Sequence, residues 1–226
     1  MIASLDRPIW HALTTRQLPF AEGEDRAKRY LVPVSPFGAA VDDSDKSLEA
    51  LRNLIPEGGS TVLLQAINCP TIPGTEVAMA AEGVQMVASE PFPFADEEGI
   101  LNLASVDAAE MLALAALTKP GPFLPRTHEL GQFMGIRDGG VLVAMAGERM
   151  KIPGFTEVSG VCTHPDYQGR GLGRRLVQAI AARVSARGET PFLHTFANNV
   201  GAIRLYEKMG FELRSKMFIT VLRRSG

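Results

Sequence analysis

Cysteine is scarce in this chain: only Cys69 and Cys162 occur, too few for a disulfide framework and spaced for no CxxC pair. Neither stands at metal-ligand spacing from any of the four histidines, so no metal centre is expected. Cys162 sits inside an apolar run, where a buried free thiol is the ordinary reading. An excess of charge of one sign is missing too. The formal net charge of -2 and a pI near 6.1 argue against a general nucleic-acid or membrane-surface binder. No apolar run approaches the length of a membrane helix, and Met1 to Trp10 lacks a basic segment followed by an apolar one. Cytoplasmic residence is therefore expected, with no nucleic-acid and no membrane partner. What remains is ordinary globular material, 46% apolar and 21% charged, in a 226-residue chain long enough for one large domain or two small ones.

The first hundred residues read unevenly. Arg29 to Val34 and Ser60 to Ala66 are β-rich apolar runs, and Ser44 to Leu54 carries Leu48, Leu51 and Leu54 at helical spacing. Val77 to Ala88 reads as one or two strands. The proline-rich and acidic segment Ser89 to Gly99 is the best boundary loop, which divides the chain into 1–98 and 99–226. The second part is cleaner. Asp107 with Glu110 predicts a capping box ahead of a helix stopped by Lys119-Pro120-Gly121-Pro122. Gly131 to Arg137 and Val141 to Met150 predict a hairpin, followed by a strand over Phe155 to Thr163. Leu172, Leu176, Ile180 and Val184 then predict an amphipathic helix ending at Gly188. A strand over Phe192 to Ala197, a helix over Val200 to Met209 and a strand over Ser215 to Leu222 complete a mixed α/β sheet.

Between strand and amphipathic helix lies Gln168-Gly169-Arg170-Gly171-Leu172-Gly173. Alternate glycines leave bare backbone, and the first N–H groups of the following helix lack intrahelical partners. Together with the helix dipole these make a diphosphate-sized anion site, with Arg170, Arg174 and Arg175 adding charge. Dinucleotide folds need Gly-x-Gly-x-x-Gly, and the third glycine would fall on Arg174. A nucleotide P-loop needs a Lys-Ser/Thr pair that is absent.

The turn also satisfies Gln/Arg-x-x-Gly-x-Gly/Ala. With Val161 to Tyr167 before it, and Asn199 to Phe211 matching Asn-x-x-Ala-x-x-x-Tyr-x-x-x-Gly-Phe, the chain resembles the GNAT superfamily of acyltransferases. The likeness covers about Leu101 to Arg224, roughly half the chain. Lys119 to Phe123 and Ala146 to Arg149 also resemble the branch related to glycine N-acyltransferases. The resemblance implies a mixed, mostly antiparallel sheet splayed at the coenzyme site and flanked by helices. The first hundred residues are compatible with a degenerate second copy of that fold. It implies acetyl-CoA as co-substrate and a small-molecule or peptide amine as acceptor, attacking directly in a ternary complex. A longer acyl donor, a glycine-like acceptor and a non-catalytic acyl-CoA sensor stay open, as does monomer or homodimer.

In that family the backbone from Gln168 to Arg174 holds the pyrophosphate. Exposed strand backbone, here Val161, Cys162 and Thr163, pairs with the pantetheine arm, and the Val161 N–H polarises the thioester carbonyl. Tyr206 is expected as the acid that protonates the leaving thiolate, its reference pKa near ~10 lying above a thiol's 8.5 or so. On a regular strand Phe155, Glu157, Ser159, Val161 and Thr163 share a face. Glu157, an acid amid these residues, is expected to be buried with its pKa raised towards that of a general base. The resemblance implies a catalytic carboxylate here that draws the amine proton through water; a hydrogen-bonded structural glutamate is the alternative. Asn199 reads as a coenzyme ligand, as the cap of the next helix, or as both, with Asn198 the purer cap. His194, on a strand with Phe192 and Phe196, reads as a satisfied core histidine. Arg126 and His128 lie where the family recognises its acceptor.

Overall fold

A computed structural model describes residues 2–225. Helix α1 (Pro8–Leu13) leads to a small antiparallel sheet of β1 (Ala21–Gly23), β2 (Ala27–Tyr30) and β3 (Gly38–Ala40), followed by α2 (Asp45–Leu54). Then come β4 (Ser60–Gln65), β5 (Thr75–Ala88), β6 (Leu101–Leu103) and α3 (Ala108–Thr118). The rest is β7 (Phe133–Asp138), β8 (Val141–Ile152), β9 (Phe155–Thr163), α4 (Leu172–Ala186), β10 (Thr190–Phe196), α5 (Val200–Lys208) and β11 (Phe211–Arg224). The last eight strands of the fold form one sheet in the order β4-β11-β5-β10-β9-β8-β7-β6. Every pairing in it is antiparallel except that of β9 with β10. This is the mixed, mostly antiparallel α/β architecture expected.

The two parts of the chain meet inside this sheet. Strand β5 precedes residue 98 in sequence, yet it lies between β10 and β11 and pairs with both. It is one strand of fourteen residues. The segment after it runs across α4: the Phe92 N–H donates to Ser185 Oγ at 2.9 Å, and Arg183 grips Glu97 through Nε (2.8 Å) and Nη2 (2.5 Å).

Helix placement follows from apolar periodicity. Leu176, Val177, Ile180 and Val184 of α4 are buried against Met86, Ala144, Val158 and Leu193 of the sheet. Helix α5 packs Ile203, Tyr206 and Met209 on the same cluster. The opposite face is covered by α1, whose Ile9 and Leu13 join Phe155 and Phe192, and by α3, whose Met111 and Leu114 join Met145 and Cys162. The Asp-x-x-Glu box expected at α3 does not form. Asp107 instead accepts from the Ala104 N–H at 2.8 Å, and Asp107 and Glu110 both bind Arg137, at 2.7 and 2.6 Å. A cation across the sheet edge outbids the local cap.

Candidate active site

The site is a fork in the sheet. Strands β9 and β10 pair only over Thr190↔Phe155, Pro191↔Thr156 and Phe192↔Glu157. Beyond that vertex β9 runs on to Thr163 and β10 to Phe196 without pairing to each other, so the facing edge of β9 carries unpaired backbone groups. Val161 and Thr163 lie on this opened stretch, half-buried, and Cys162 is buried against α3.

A bulge interrupts β9 there. Its register with β8 passes from Ser159↔Gly147 to Cys162↔Met145, so β9 holds one extra residue. Gly160 takes φ +61°, and a Cβ there would stand 3.0 Å from Phe133 Cε1. The extra residue overturns the expectation that Phe155, Glu157, Ser159, Val161 and Thr163 share a face. Phe155 packs with α1, whereas Val161 packs with the α4 cluster. Period-two reading fails at a bulge because one residue is added to one strand.

At the far end of β9 the chain turns through Pro165–Tyr167 into Gln168 and the glycines. Gly169 and Gly171 take φ +77° and +75°, which side chains with a Cβ adopt at a cost of about 1–2 kcal/mol. Gly173 is under no such constraint: a Cβ on it would make ordinary contacts, 3.4 Å from Thr163 Oγ1 and 3.6 Å from Val161 Cγ1. The Arg175 N–H closes the first turn of α4 on the Gly171 carbonyl at 3.1 Å, so the amides before it carry the helix's orphan donors. Gln168, Gly169, Arg170, Gly171 and Arg174 are exposed, and Leu172 is half-buried. The arginines are not uniformly aimed at this turn. Arg170 stacks over the Tyr167 ring at 4.6 Å and donates to the Asp166 carbonyl at 3.4 Å, while Arg175 donates to the Glu98 carbonyl.

Asn199 is the cap of α5, one of the roles expected for it, its Oδ1 accepting from the Ala202 N–H at 3.2 Å, and Asn198 lies one residue before the cap. One and two turns on, Ile203 and Tyr206 face the sheet. Tyr206 meets Phe211 edge-on at 6.1 Å, and burial raises its phenol above the ordinary value. Tyr206 and Val161 border the same apolar cluster.

Glu157 and His194 lie on the other face, at the vertex. Glu157 is fully buried, as expected for an acid in this strand. Burial alone would raise its pKa, but Arg149 and His194 overrule it and hold the carboxyl at about 2. This corrects the expected upward shift. Arg149 Nε and Nη2 bind the two carboxylate oxygens at 2.8 and 2.6 Å, His194 Nδ1 lies 2.7 Å from Oε1, and the Met150 N–H reaches Oε2 at 3.3 Å. Four donors occupy the four acceptor positions of a carboxylate, so Glu157 has no lone pair left for an incoming proton. The core reading of His194 holds, since both ring nitrogens have partners. Arg126 pairs with Glu129 at 2.7 Å, and its N–H donates to the Pro33 carbonyl, which docks the loop after α3 on the loop after β2.

Sequence reasoning missed Arg149, Gln85 and Gly160. A basic residue beside an acid in the apolar run of β8 was the one available signal for Arg149. Gln85 and the bulge left no local mark.

A sheet opened between a parallel pair, with a glycine turn and helix start at the end of one arm, is an N-acyltransferase fold of the GNAT type. The FR47-like protein family matches residues 133–219. Over 98% of this chain and 99% of the other, the fold superposes with a TM-score of 0.93 and 42% identity on the crystal structure of a putative acetyltransferase of the GNAT family from Novosphingobium aromaticivorans. The chain belongs to the GNAT family. Among curated relatives, the N-alpha-acetyltransferase RimI of Mycobacterium tuberculosis is 40% identical over 91 residues, 39% of this chain, and the chain spans about half (54%) of its length. A GCN5-related N-acetyltransferase from Kribbella flavida shares the fold over 98% of this chain and 96% of that one, with a TM-score of 0.63 at 18% identity.

Proposed function

We propose that the protein transfers an acetyl group from acetyl-CoA to a primary amine of a small molecule or peptide, in a ternary complex and without a covalent enzyme intermediate. The observation that carries this reading is the fork itself. It opens after Glu157, is bulged at Gly160, and ends at a turn whose glycines and helix amides suit a diphosphate. Val161, Cys162 and Thr163 supply unpaired strand backbone for an amide-bearing arm, and the Val161 N–H is the donor for the developing oxyanion. Gln168 to Arg174 hold the diphosphate, and Asn199 adds its free amide nitrogen at the mouth.

The amine lone pair attacks the thioester carbon, a C–N bond forms and the C–S bond breaks. Tyr206 gives its phenolic proton to the departing sulfur, and the proton shed by the attacking nitrogen passes to solvent, which reprotonates the phenolate. Burial raises the phenol, and the same apolar surroundings raise a thiol, so the two stay matched. Glu157 is not the base in this scheme. Its lone pairs are occupied, and the amine must arrive neutral or lose its proton to solvent.

The similarity to the N-alpha-acetyltransferase RimI supports an α-amine as acceptor. The likeness of Lys119 to Phe123 and Ala146 to Arg149 to the glycine N-acyltransferase branch supports a glycine-like one. A thiol-release screen over amino acids, peptides, polyamines and aminoglycosides separates them. Tight acetyl-CoA binding with no thiol release in any arm would mark a sensor instead of an enzyme.

A further inference from the structure

The polar groups buried at the fork's vertex do more than neutralise Glu157. Backbone pairing of β9 and β10 ends at Glu157 and Phe192. Two residues further along β10, His194 reaches back so that its Nδ1 lies 2.7 Å from Glu157 Oε1. A side-chain bond takes over where the ladder stops. The other ring nitrogen, Nε2, lies 2.9 Å from Gln85 Nε2 on β5. Gln85 is gripped at both ends of its amide: Oε1 accepts from Arg214 Nη1 at 2.8 Å, and Nε2 donates to the Leu5 carbonyl at 3.0 Å. Arg214 Nη2 in turn reaches Asp6 Oδ1 at 2.6 Å.

These partners determine where the protons sit. A guanidinium only donates and a main-chain carbonyl only accepts, so the Gln85 amide has one permitted orientation. Its NH2 group then faces His194 Nε2, which must accept. The ring proton therefore lies on Nδ1 and is donated to Glu157. A proton on Nε2 would set two N–H groups against each other. The charged groups around the ring are Glu157 from β9, Arg149 from β8, Arg214 from β11 and Asp6 from the N-terminal turn; Phe192 packs edge-on at 5.6 Å.

The geometry points to a positioning relay: Leu5 and Asp6 anchor Arg214 and Gln85, these lock His194 as a neutral Nδ1–H donor, and His194 pins Glu157 at the vertex of the fork. The N-terminal segment thereby controls the opening in which acyl transfer takes place. His194 is a positioning residue and not a base. Misplacing reacting groups by about 1 Å costs on the order of a hundredfold in rate, so a loosened vertex lowers turnover before it lowers coenzyme affinity. The kinetic consequence rests on the acetyl-transfer reading; the tautomer does not.

The test begins with two-bond proton–nitrogen correlation of the histidine rings in the wild-type protein near neutral pH, assigned with His194→Gln. The relay requires the Nδ1–H tautomer, and an Nε2–H tautomer overturns it whether or not any amine is acetylated. Gln85→Glu places a carboxylate opposite Nε2 that accepts from both the ring and Arg214. Both ring nitrogens should then carry protons, with Nδ1–H still donated to Glu157. His194→Phe, which removes that donor, should lower kcat about tenfold with the acetyl-CoA Kd within about twofold. Asp6→Asn, at the half-exposed outer anchor, should keep the Nδ1–H tautomer and give a smaller fall in kcat. A ring left singly protonated in Gln85→Glu, or an unchanged kcat in His194→Phe, overturns the relay. Absence of acetyl transfer in the wild-type protein, with the Nδ1–H tautomer present, counts against the proposed activity and leaves the relay standing.

Discussion

Glu157 shows how far a single side chain's role depends on residues distant in sequence. Its position in an apolar strand makes burial legible, and burial is what the fold delivers. Its protonation state was not legible, because Arg149 sits on the neighbouring strand and His194 on the one beyond the vertex. The sign of the pH dependence follows. Its folded pKa of about 2 lies below the ordinary value of 4.5, so the carboxylate stabilises the fold above the latter and loses that contribution as pH falls through the former. A melting-temperature titration should therefore decline through this acidic window, and Glu157→Gln should flatten it. The same variant leaves the Arg149 charge buried without its partner and should cost about 3–5 kcal/mol by denaturant unfolding. Tyr206→Phe behaves oppositely. It keeps the ring against Phe211 and should lower turnover at least about tenfold with little change in acetyl-CoA affinity. With no committed carboxylate base, the acidic limb of kcat/KM should follow the acceptor itself, near ~8 for an α-amine and ~10.4 for a lysine-like amine. A limb near ~6 shared by both acceptors would restore an enzyme base.

At the scale of elements, the glycine turn and α4 were the most legible part, because their signals are local. The glycines, the apolar stripe of Leu176, Ile180 and Val184 and the end at Gly188 are all read within one segment. Gly169 and Gly171 have open space where a Cβ would stand, so their requirement is purely conformational. Gly169→Ala with Gly171→Ala should leave the fold intact and raise the acetyl-CoA Kd by about tenfold or more, since each strained residue costs roughly 1–2 kcal/mol. Calorimetric titration measures this directly. The bulge at Gly160 was illegible for the opposite reason. A lone glycine in a strand is compatible with an unbroken pleat, and the extra residue is defined only by the register of β9 against β8.

For the whole molecule, strand β5 matters most. The division at residue 98 is a division of sequence, while the sheet is continuous across it, with β5 held between β10 and β11. The relay from Leu5 to His194 crosses the same line. We therefore expect the fragment 99–226 to lack cooperative unfolding, and the full chain to melt in one transition by calorimetry. The identity of the fold was readable from Gln168 to Gly173 and Asn199 to Phe211. The contribution of the N-terminal residues was not, because it is made through pairings that no local pattern encodes.

The central claim, that the fork binds acetyl-CoA and directs it to an amine, is tested most directly by thiol release from acetyl-CoA across the amine panel, run beside Tyr206→Phe and the Gly169→Ala, Gly171→Ala double variant. The account predicts acceptor-dependent release that the tyrosine variant loses in kcat and the glycine variant loses in acetyl-CoA KM. Release that is independent of acceptor, or unchanged in both variants, would contradict it.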